Sequence, residues 1–227
     1  TTTYGCVGAF SSGIGYTEMA SILGTGTMWI KVPETIKVVV EGTLPSNVTS
    51  KDIILRLIGD LRADGATYQA LEFSGDTIES MSVASRMTMS NMAIEAGAKC
   101  ALFTPDEKTA EYCEIELTER ETSLKGDADA HYIREIHYKA EDFVPVLACP
   151  SQVDNIHPVS EWEGTPIDQV FIGSCTYLIN YYGQSDHNAK FYDGVAGLLG
   201  NGEVSENYPR AYLTKFASLW EMNEDIV

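Results

Sequence analysis

The sequence is constrained most by an alternation of short β-branched runs with capped amphipathic segments. A strand is predicted over 35–41, where TIKVVVE follows Pro33. A helix is predicted next, because Thr49–Asp52 forms a capping box and apolar residues follow at helical spacing. The same pattern predicts strands over 69–73 and 98–103 and a helix over 87–96. Strands that alternate with helices are typical of α/β proteins, so we predict an α/β fold.

Further elements are predicted on both sides of this region. A short buried helix is expected over 17–23, ending at Gly24, and a second capping box is expected at Thr104–Glu107. The polar stretch Glu119–Asp129 is the best candidate for a linker. We therefore expect one compact unit over about 38–116 and a second unit after the linker. Strands are predicted in that second unit over 132–138, 143–147 and 167–172.

Charge and hydropathy exclude several classes of partner. Acidic residues outnumber basic residues by 33 to 15, which gives a formal net charge of −18. Such a surface repels phosphate groups, so neither nucleic acids nor anionic membranes are expected as partners. No apolar run approaches the roughly 20 residues of a membrane-spanning helix, and the first residues show no signal peptide. A globular cytoplasmic protein is expected.

The cysteines favour the same compartment. Their number is odd and no pair has the C-x-x-C spacing of a zinc or redox site; they stand at positions 6, 100, 113, 149 and 175. A chain of 227 residues with 44% hydrophobic residues can build a core without disulfides. We expect reduced thiols, most of them buried.

Spacing alone offers three candidate sites. Asn91 and Glu95 lie four residues apart on a predicted helix, so an amide and a carboxylate would share one face and could orient a hydroxyl or water. Cys175, in Gly173–Thr176, would stand where a predicted strand ends, at the edge where α/β sheets bind ligands. Spacing also leaves open a solvated helix face for the first and a buried structural cysteine for the second. The third candidate alternates acidic residues with a histidine, at Asp127, Asp129 and His131, and a solvated linker explains it better.

Several segments read in order resemble the large subunit of isopropylmalate dehydratase and its homoaconitase relatives, in the aconitase superfamily. The most specific are SRMTMSNMAIEAGAK (85–99) and PIDQVFIGSCT (166–176). The others are GAFSSGIGYTEMA (8–20), MWIKVPETIKVVVEG (28–42), TSKDIILRLIG (49–59), DGATYQALEFSG (64–75) and PDEKT (105–109). The resemblance extends over residues 1–176.

This resemblance implies an incomplete aconitase-like fold of mixed α/β domains in three layers. Residues 1–40 would be the C-terminal part of the first domain, 41–118 the second domain and 126–176 the start of the third. Residues 177–227 are expected to be an unmatched C-terminal tail.

The resemblance also implies a chemistry. Members of this family hold a [4Fe–4S] cluster through three cysteine thiolates, and its fourth iron binds substrate as a Lewis acid. By match to GSCT, Cys175 would be a cluster ligand; by match to SNMAIE, Asn91 and Glu95 would be catalytic, with Glu95 orienting a hydroxyl or water. The implied enzyme is a hydro-lyase of leucine or related biosynthesis. It would reversibly dehydrate 2-hydroxy di- or tricarboxylates such as isopropylmalate, with a small subunit as partner.

The sequence also departs from the family pattern. The family's Asp-Ser-His sequence falls immediately before Thr1, no cysteine follows Cys175, and Tyr177 replaces the family's Asn. We therefore expect this chain alone to be inactive and to retain no cluster. Either a frame-shifted reading after Thr176 or a divergent natural C-terminus explains the tail. The alternative function is a non-catalytic α/β binding or structural module that keeps the scaffold without the cluster.

Overall fold

The computed structural model describes residues 2–166, with the backbone alone for Arg120 and Thr122. The strands are β1 (Thr35–Glu41), β2 (Ala70–Ser74), β3 (Cys100–Phe103), β4 (Arg134–Lys139), β5 (Val146–Ala148) and β6 (Ile156–Pro158). The α-helices are α1 (Tyr16–Thr25), α2 (Ser50–Leu61), α3 (Asp76–Ser80), α4 (Val83–Met92), α5 (Glu107–Cys113) and α6 (Glu119–Thr122). Short 3₁₀ helices cover Thr3–Val7, Ala93–Ala96, Ala140–Asp142 and Val159–Trp162. No helix in this part of the chain is long and apolar enough to cross a bilayer.

Four parallel strands form the main sheet in the order β3-β2-β1-β4. The chain steps outward from β1 to β2 through α2, and from β2 to β3 through α3 and α4. It then returns to the other side of β1 with β4. Parallel neighbours joined by helical crossovers define an α/β domain, which confirms the predicted fold class.

The core lies between this sheet and α2. β1 alternates as a half-buried strand should, because Ile36, Val38 and Val40 are buried and the residues between them are not. α2 faces them with a fully buried apolar stripe of Ile53, Ile54, Leu57 and Ile58. Each such side chain contributes about 1.5–3 kcal/mol by leaving water.

The strand after the expected linker does not begin a new sheet. β4 pairs with β1 in parallel, with Ile136 opposite Val38. The antiparallel pair β5–β6 also lies against α2, where Asp52 Oδ1 accepts a hydrogen bond of 2.9 Å from Val146 N. Segments on both sides of Glu119–Asp129 therefore share one sheet and one helix, which corrects the expectation of a second unit there. Without β4, the β-branched strand β1 would be an edge strand, and its backbone N–H and C=O groups on one side would be unpaired. The domain boundaries inferred from the family stay a prediction.

The first predicted helix forms, but it is not buried. α1 begins at Tyr16 and ends at Thr25, and the next residue, Gly26, caps it in the left-handed region with a φ of 70°. No residue of α1 is buried, and the Tyr16 and Leu23 side chains are 88% and 80% exposed. The apolar residues predicted the helix correctly, but within residues 2–166 no element covers them.

The two predicted capping boxes differ in outcome. The box at Thr49–Asp52 is confirmed, since Asp52 Oδ2 accepts from Thr49 N at 2.7 Å and from Thr49 Oγ1 at 2.8 Å. The box expected at Thr104–Glu107 is wrong. The N-cap of α5 is Asp106, whose Oδ1 accepts from Thr109 N at 3.1 Å. The carboxylate of Asp106 reaches the free amides of the first turn. The helix therefore begins two residues later than it would with Thr104 as its N-cap.

Candidate active site at the end of α4

The Asn91 and Glu95 candidates lie at the amino edge of the parallel sheet. β2 and β3 are parallel, so the connection between them must return from the carboxyl edge to the amino edge. α4 is the last helix of that connection. It ends at Met92, and a 3₁₀ helix over Ala93–Ala96 leads to Gly97 and then to β3. The helix predicted over 87–96 is therefore α-helical only up to Met92.

Gly97 ends this connection for a steric reason. Its φ is 82°, in the left-handed region, and a Cβ there would lie 2.9 Å from Thr67 Oγ1. Backbone bonds join this end to the loop before β2, with Ala66 N donating to Ala96 O at 2.9 Å. The turn that carries Glu95 is thus held at both of its ends.

Hydroxyl groups fasten the N-terminal segment to the same end of α4. The Thr2 side chain donates to the carbonyl oxygens of Ser90 and Asn91, the latter at 3.2 Å. Ser90 Oγ in turn contacts Thr2 O at 2.7 Å and Ala101 O at 2.9 Å. Thr2 and Ser90 are completely buried, so these bonds are shielded from water. Gly5 permits the close approach, because a Cβ there would lie 1.7 Å from Ala101 O.

The carboxamide of Asn91 has one hydrogen-bond partner among residues 2–166. Its Oδ1 accepts a hydrogen bond of 3.2 Å from Thr3 Oγ1. Its Nδ2 group makes no hydrogen bond to any residue between positions 2 and 166. Asn91 is half-buried on the last turn of α4, and its Nδ2 group is a donor that no residue in 2–166 uses.

Glu95 differs from Asn91 in its surroundings. It lies in the 3₁₀ helix, is exposed, and has neither a hydrogen bond nor an ion pair with another described residue. The two residues stand in adjoining helical turns, but they are not on one continuous α-helix as the four-residue spacing predicted. The end of α4 nevertheless offers a donor and a carboxylate, which is the pair of groups needed to orient a hydroxyl.

Cys175 lies outside the described residues, so its position relative to Asn91 and Glu95 stays a prediction. Cys6, Cys100, Cys113 and Cys149 are all free thiols, and of these only Cys113 is exposed. Burial raises the pKa of the Cys6 thiol to about 12 and that of Cys100 to about 11. Cluster ligation needs thiolates, which these two sites disfavour.

The other candidates provide no metal site in the described part. Asp127, Asp129 and His131 are exposed, and residues 2–166 contain no group of three or more His, Cys, Asp or Glu side chains arranged to hold an ion. His157 is occupied by Glu161 at 3.0 Å and Asn155 at 3.1 Å. The donor set of residues 2–166 therefore does not fit a [4Fe–4S] cluster.

Comparison with known proteins defines the class. The sequence model of the aconitase family (aconitate hydratase) matches residues 1–166. The chain belongs to the aconitase family.

Within that family, this chain is similar to large subunits of two kinds. It is 51% identical over 174 residues to a probable methanogen homoaconitase large subunit of Methanosarcina mazei, covering 77% of this chain and 44% of that protein. It is 44% identical over 211 residues to a probable 3-isopropylmalate dehydratase large subunit of the same organism, covering 91% of this chain and 48% of that protein. The 3-isopropylmalate dehydratase large subunit of Halothermothrix orenii is 49% identical over 176 residues, 78% of this chain and 42% of that protein. The chain spans less than half the length of these relatives.

The longest of these matches also bears on the tail. An alignment that covers 91% of the chain is longer than residues 1–176 can supply, so likeness to that relative extends beyond Thr176. The expectation that residues 177–227 are wholly unmatched is corrected to this extent. The family model itself ends at residue 166.

Proposed function

We propose that this chain is the part of an aconitase-family large subunit that supplies the end of α4 to a hydro-lyase site. The reaction would be the reversible dehydration of a 2-hydroxy di- or tricarboxylate such as 3-isopropylmalate. The observation that carries this proposal is the carboxamide of Asn91, which Thr3 contacts, one turn before the exposed carboxylate of Glu95, which has no partner within residues 2–166. The names of relatives at 44–51% identity support the same reaction class.

The two side chains would have different roles toward the substrate. Asn91 Nδ2 would donate to a hydroxyl or carboxylate oxygen of the substrate. Glu95 would accept a hydrogen bond from the hydroxyl or from water and so hold a proton near the carbon–oxygen bond that breaks. Among the residues that the structure describes, no cation pairs with this exposed carboxylate, so none of them has to be displaced before it acts.

In the complete family member, the open iron of a [4Fe–4S] cluster would supply Lewis-acid catalysis. Cys175 is our proposed ligand from this chain. The described cysteines do not fit the cluster, and we propose that the chain alone neither holds the cluster nor turns over substrate. A small subunit would complete the site in the cytoplasm, the reducing compartment in which free thiols such as those described persist.

A chimera tests the proposed function. Residues 1–166 replace the matched segment in the M. mazei homoaconitase large subunit, which is coexpressed with its small subunit and reconstituted anaerobically with iron and sulfide. Hydration and dehydration are followed with 3-isopropylmalate, homocitrate and citrate. We expect turnover that Glu95→Gln lowers by about 10²–10⁴-fold, the usual contribution of a general acid–base group. Glu107→Gln, on the exposed start of α5, is the matched control. The proposal would be refuted by a folded chimera that holds its cluster and whose turnover is unchanged by Glu95→Gln.

The same reconstitution, applied to the unmodified chain, distinguishes the hydro-lyase from the alternative, a non-catalytic module. The observation that favours a non-catalytic module is that residues 2–166 contain no group of three or more His, Cys, Asp or Glu side chains arranged to hold an ion. We expect no visible cluster absorbance and no dehydration by this chain. A stoichiometric cluster that depends on Cys175, with turnover, would overturn that expectation.

A further inference from the structure

A second concave site lies at the amino edge of the main sheet, outside the pair formed by Asn91 and Glu95. It is a cavity of about 310 Å³ between the segment that enters β1 and the loop that enters β2, lined by residues 29, 31–34 and 67–69. Hydrogen bonds join its two walls, since Ala70 N donates to Glu34 O at 2.8 Å and Lys31 N donates to the Tyr68 hydroxyl oxygen at 3.2 Å. The cavity is therefore preformed, and its volume lies at the lower end of the range for small-molecule sites.

The cavity carries one positive and one negative side chain that are not paired. Lys31 and Glu34 both line it and both are exposed. No ion pair among residues 2–166 includes either of them, so they pair neither with each other nor with another described residue. A ligand that carries both charges would match this arrangement better than a ligand with one charge.

A buried amide in the same wall lacks a partner. Gln69 Oε1 is buried and accepts no hydrogen bond from the described part of the chain. A buried polar atom without a partner is costly, so a ligand that supplies one is favoured. A carboxamide has a donating and an accepting end, and a zwitterion complements either end, with its ammonium group or with its carboxylate.

The rest of the cavity is apolar and aromatic. Trp29 and Val32 line it with side chains that are 84% and 83% exposed, which is unusual for large apolar residues. The Tyr68 ring forms part of the opposite wall, and Lys99 Nζ lies 4.9 Å from the centre of that ring. An apolar group of a ligand could cover Trp29 and Val32 while its charged end meets the polar groups.

We propose that this cavity binds a zwitterionic α-amino acid with an apolar side chain. The carboxylate would meet Lys31, the ammonium group would meet Glu34, and the side chain would pack on Trp29 and Val32. A 2-hydroxy dicarboxylate would instead bring two negative charges beside the carboxylate of Glu34. The cavity is therefore a different site from the proposed hydro-lyase site, and the inference does not depend on that function.

Isothermal titration calorimetry of the full chain tests the ligand class, with L-leucine as the probe. 4-Methylpentanoate keeps its carboxylate without the ammonium group, and 3-methylbutylamine keeps the amine without the carboxylate. We expect saturable binding of one L-leucine per chain and at least about tenfold weaker binding of each analogue. 3-Isopropylmalate should not compete with L-leucine.

Variants locate the binding. Lys31→Met and Glu34→Gln should each weaken the binding of L-leucine by about tenfold, because each removes one charged contact. Lys51→Met on α2 and Glu107→Gln on α5 make the same changes at exposed positions outside the cavity and should leave binding unchanged. In ¹⁵N-labelled chain, L-leucine should shift the backbone amide resonance of Tyr68.

Three results would overturn the inference. One is the absence of both saturable heat and a shift of the Tyr68 amide up to about 10 mM L-leucine. The second is binding that Lys31→Met and Glu34→Gln leave unchanged. The third is competition by 3-isopropylmalate, which would assign the cavity to the dicarboxylate. Turnover by the chimera enters none of these measurements, so failure of the proposed function and failure of this inference are distinguishable.

Discussion

Gly5 shows how closely the N-terminal segment packs on β3. A Cβ at this position would meet Ala101 O at 1.7 Å and Ser90 Oγ at 2.6 Å, so Gly5→Ala must push the segment away from α4. We expect the free energy of unfolding to fall by about 2–3 kcal/mol, measured by urea denaturation. Gly24→Ala, on exposed α1 with no heavy atom within 4 Å of its Cβ, should instead leave stability unchanged or raise it by about 0.5–1 kcal/mol. Equal midpoints for the two variants would contradict this packing.

The cysteines should react in the order of their exposure. Alkylation proceeds through the thiolate, and burial holds the pKa of Cys6 and Cys100 at about 12 and about 11. Treatment with iodoacetamide at mildly alkaline pH, followed by peptide mass spectrometry, should label the exposed Cys113 first. Cys6 and Cys100 should react only after denaturation. Rapid labelling of Cys6 in the native chain would mean that the N-terminal segment is not docked on α4.

Spacing and resemblance together predict a site at Asn91 and Glu95, and their roles stay a prediction. The structure places Asn91 on the last turn of α4 and Glu95 in the 3₁₀ helix that follows. Spacing did not show that Thr2 and Thr3 anchor that end, because the partners are 88 residues apart and no local pattern connects them. A threonine run at the start of a chain carries no such signal until the fold brings it to Ser90.

An ion pair joins the buried Arg86 of α4 to the partly exposed Asp106, the N-cap of α5. Arg86 is 1% exposed and its Nη2 lies 2.5 Å from Asp106 Oδ2 and 3.0 Å from Glu79 O. Its Nε is buried without a partner in the described chain, so the guanidinium relies on these few bonds. Asp106→Asn should lower the free energy of unfolding by about 2 kcal/mol, because a buried charge loses its counter-ion.

A double-mutant cycle checks this pair. Arg86→Met combined with Asp106→Asn should recover most of the loss, since no charge is left buried. Purely additive losses in thermal or urea unfolding would show that the two groups do not interact.

The same pair predicts a pH dependence. Burial opposes ionisation of Asp106, but hydrogen bonds from Arg86 and Thr109 outweigh it and hold the pKa below the ordinary 3.8. A carboxyl with a lowered folded-state pKa stabilises the protein fully above the ordinary value and loses that contribution as pH falls through the lowered pKa. The difference in unfolding free energy between wild type and Asp106→Asn should therefore be constant from about pH 7 to 5 and shrink below about pH 4. A difference that grows on acidification would contradict this.

Element prediction worked where sequence periodicity and local capping agreed. TIKVVVE became β1, and the box at Thr49–Asp52 became the start of α2, because both signals are local. The start of α5 was misplaced because Thr104 and Asp106 are both capping residues, and the ion pair with Arg86 favours the second. The pairing of β4 with β1 was missed because a polar linker of the length of Glu119–Asp129 is equally compatible with a domain boundary and with a return to the same sheet.

At the scale of the whole molecule, the shared sheet predicts cooperative unfolding across the linker. Val38 is fully buried in β1, between β2 and β4. Val38→Ala should cost about 2 kcal/mol and should speed native-state hydrogen exchange equally for amides of β2 and β4. Leu23→Ala, on exposed α1, should change neither the free energy of unfolding nor the free energy of exchange in these strands by more than about 0.5 kcal/mol. Exchange in β4 that is indifferent to Val38→Ala would show that the linker separates two independent units.

The position of β4 has a consequence for the nascent chain. Synthesis from the N-terminus completes β1, β2 and β3 while β4 is still untranslated, so for several seconds at ordinary elongation rates β1 is an outer strand. Its N–H and C=O groups on that side are then unpaired, and its sequence is rich in β-branched residues and carries no net charge, which favours pairing with a neighbouring polypeptide. A ribosome paused within the codons for residues 104–133 would prolong that interval and increase aggregation without any change in the finished protein.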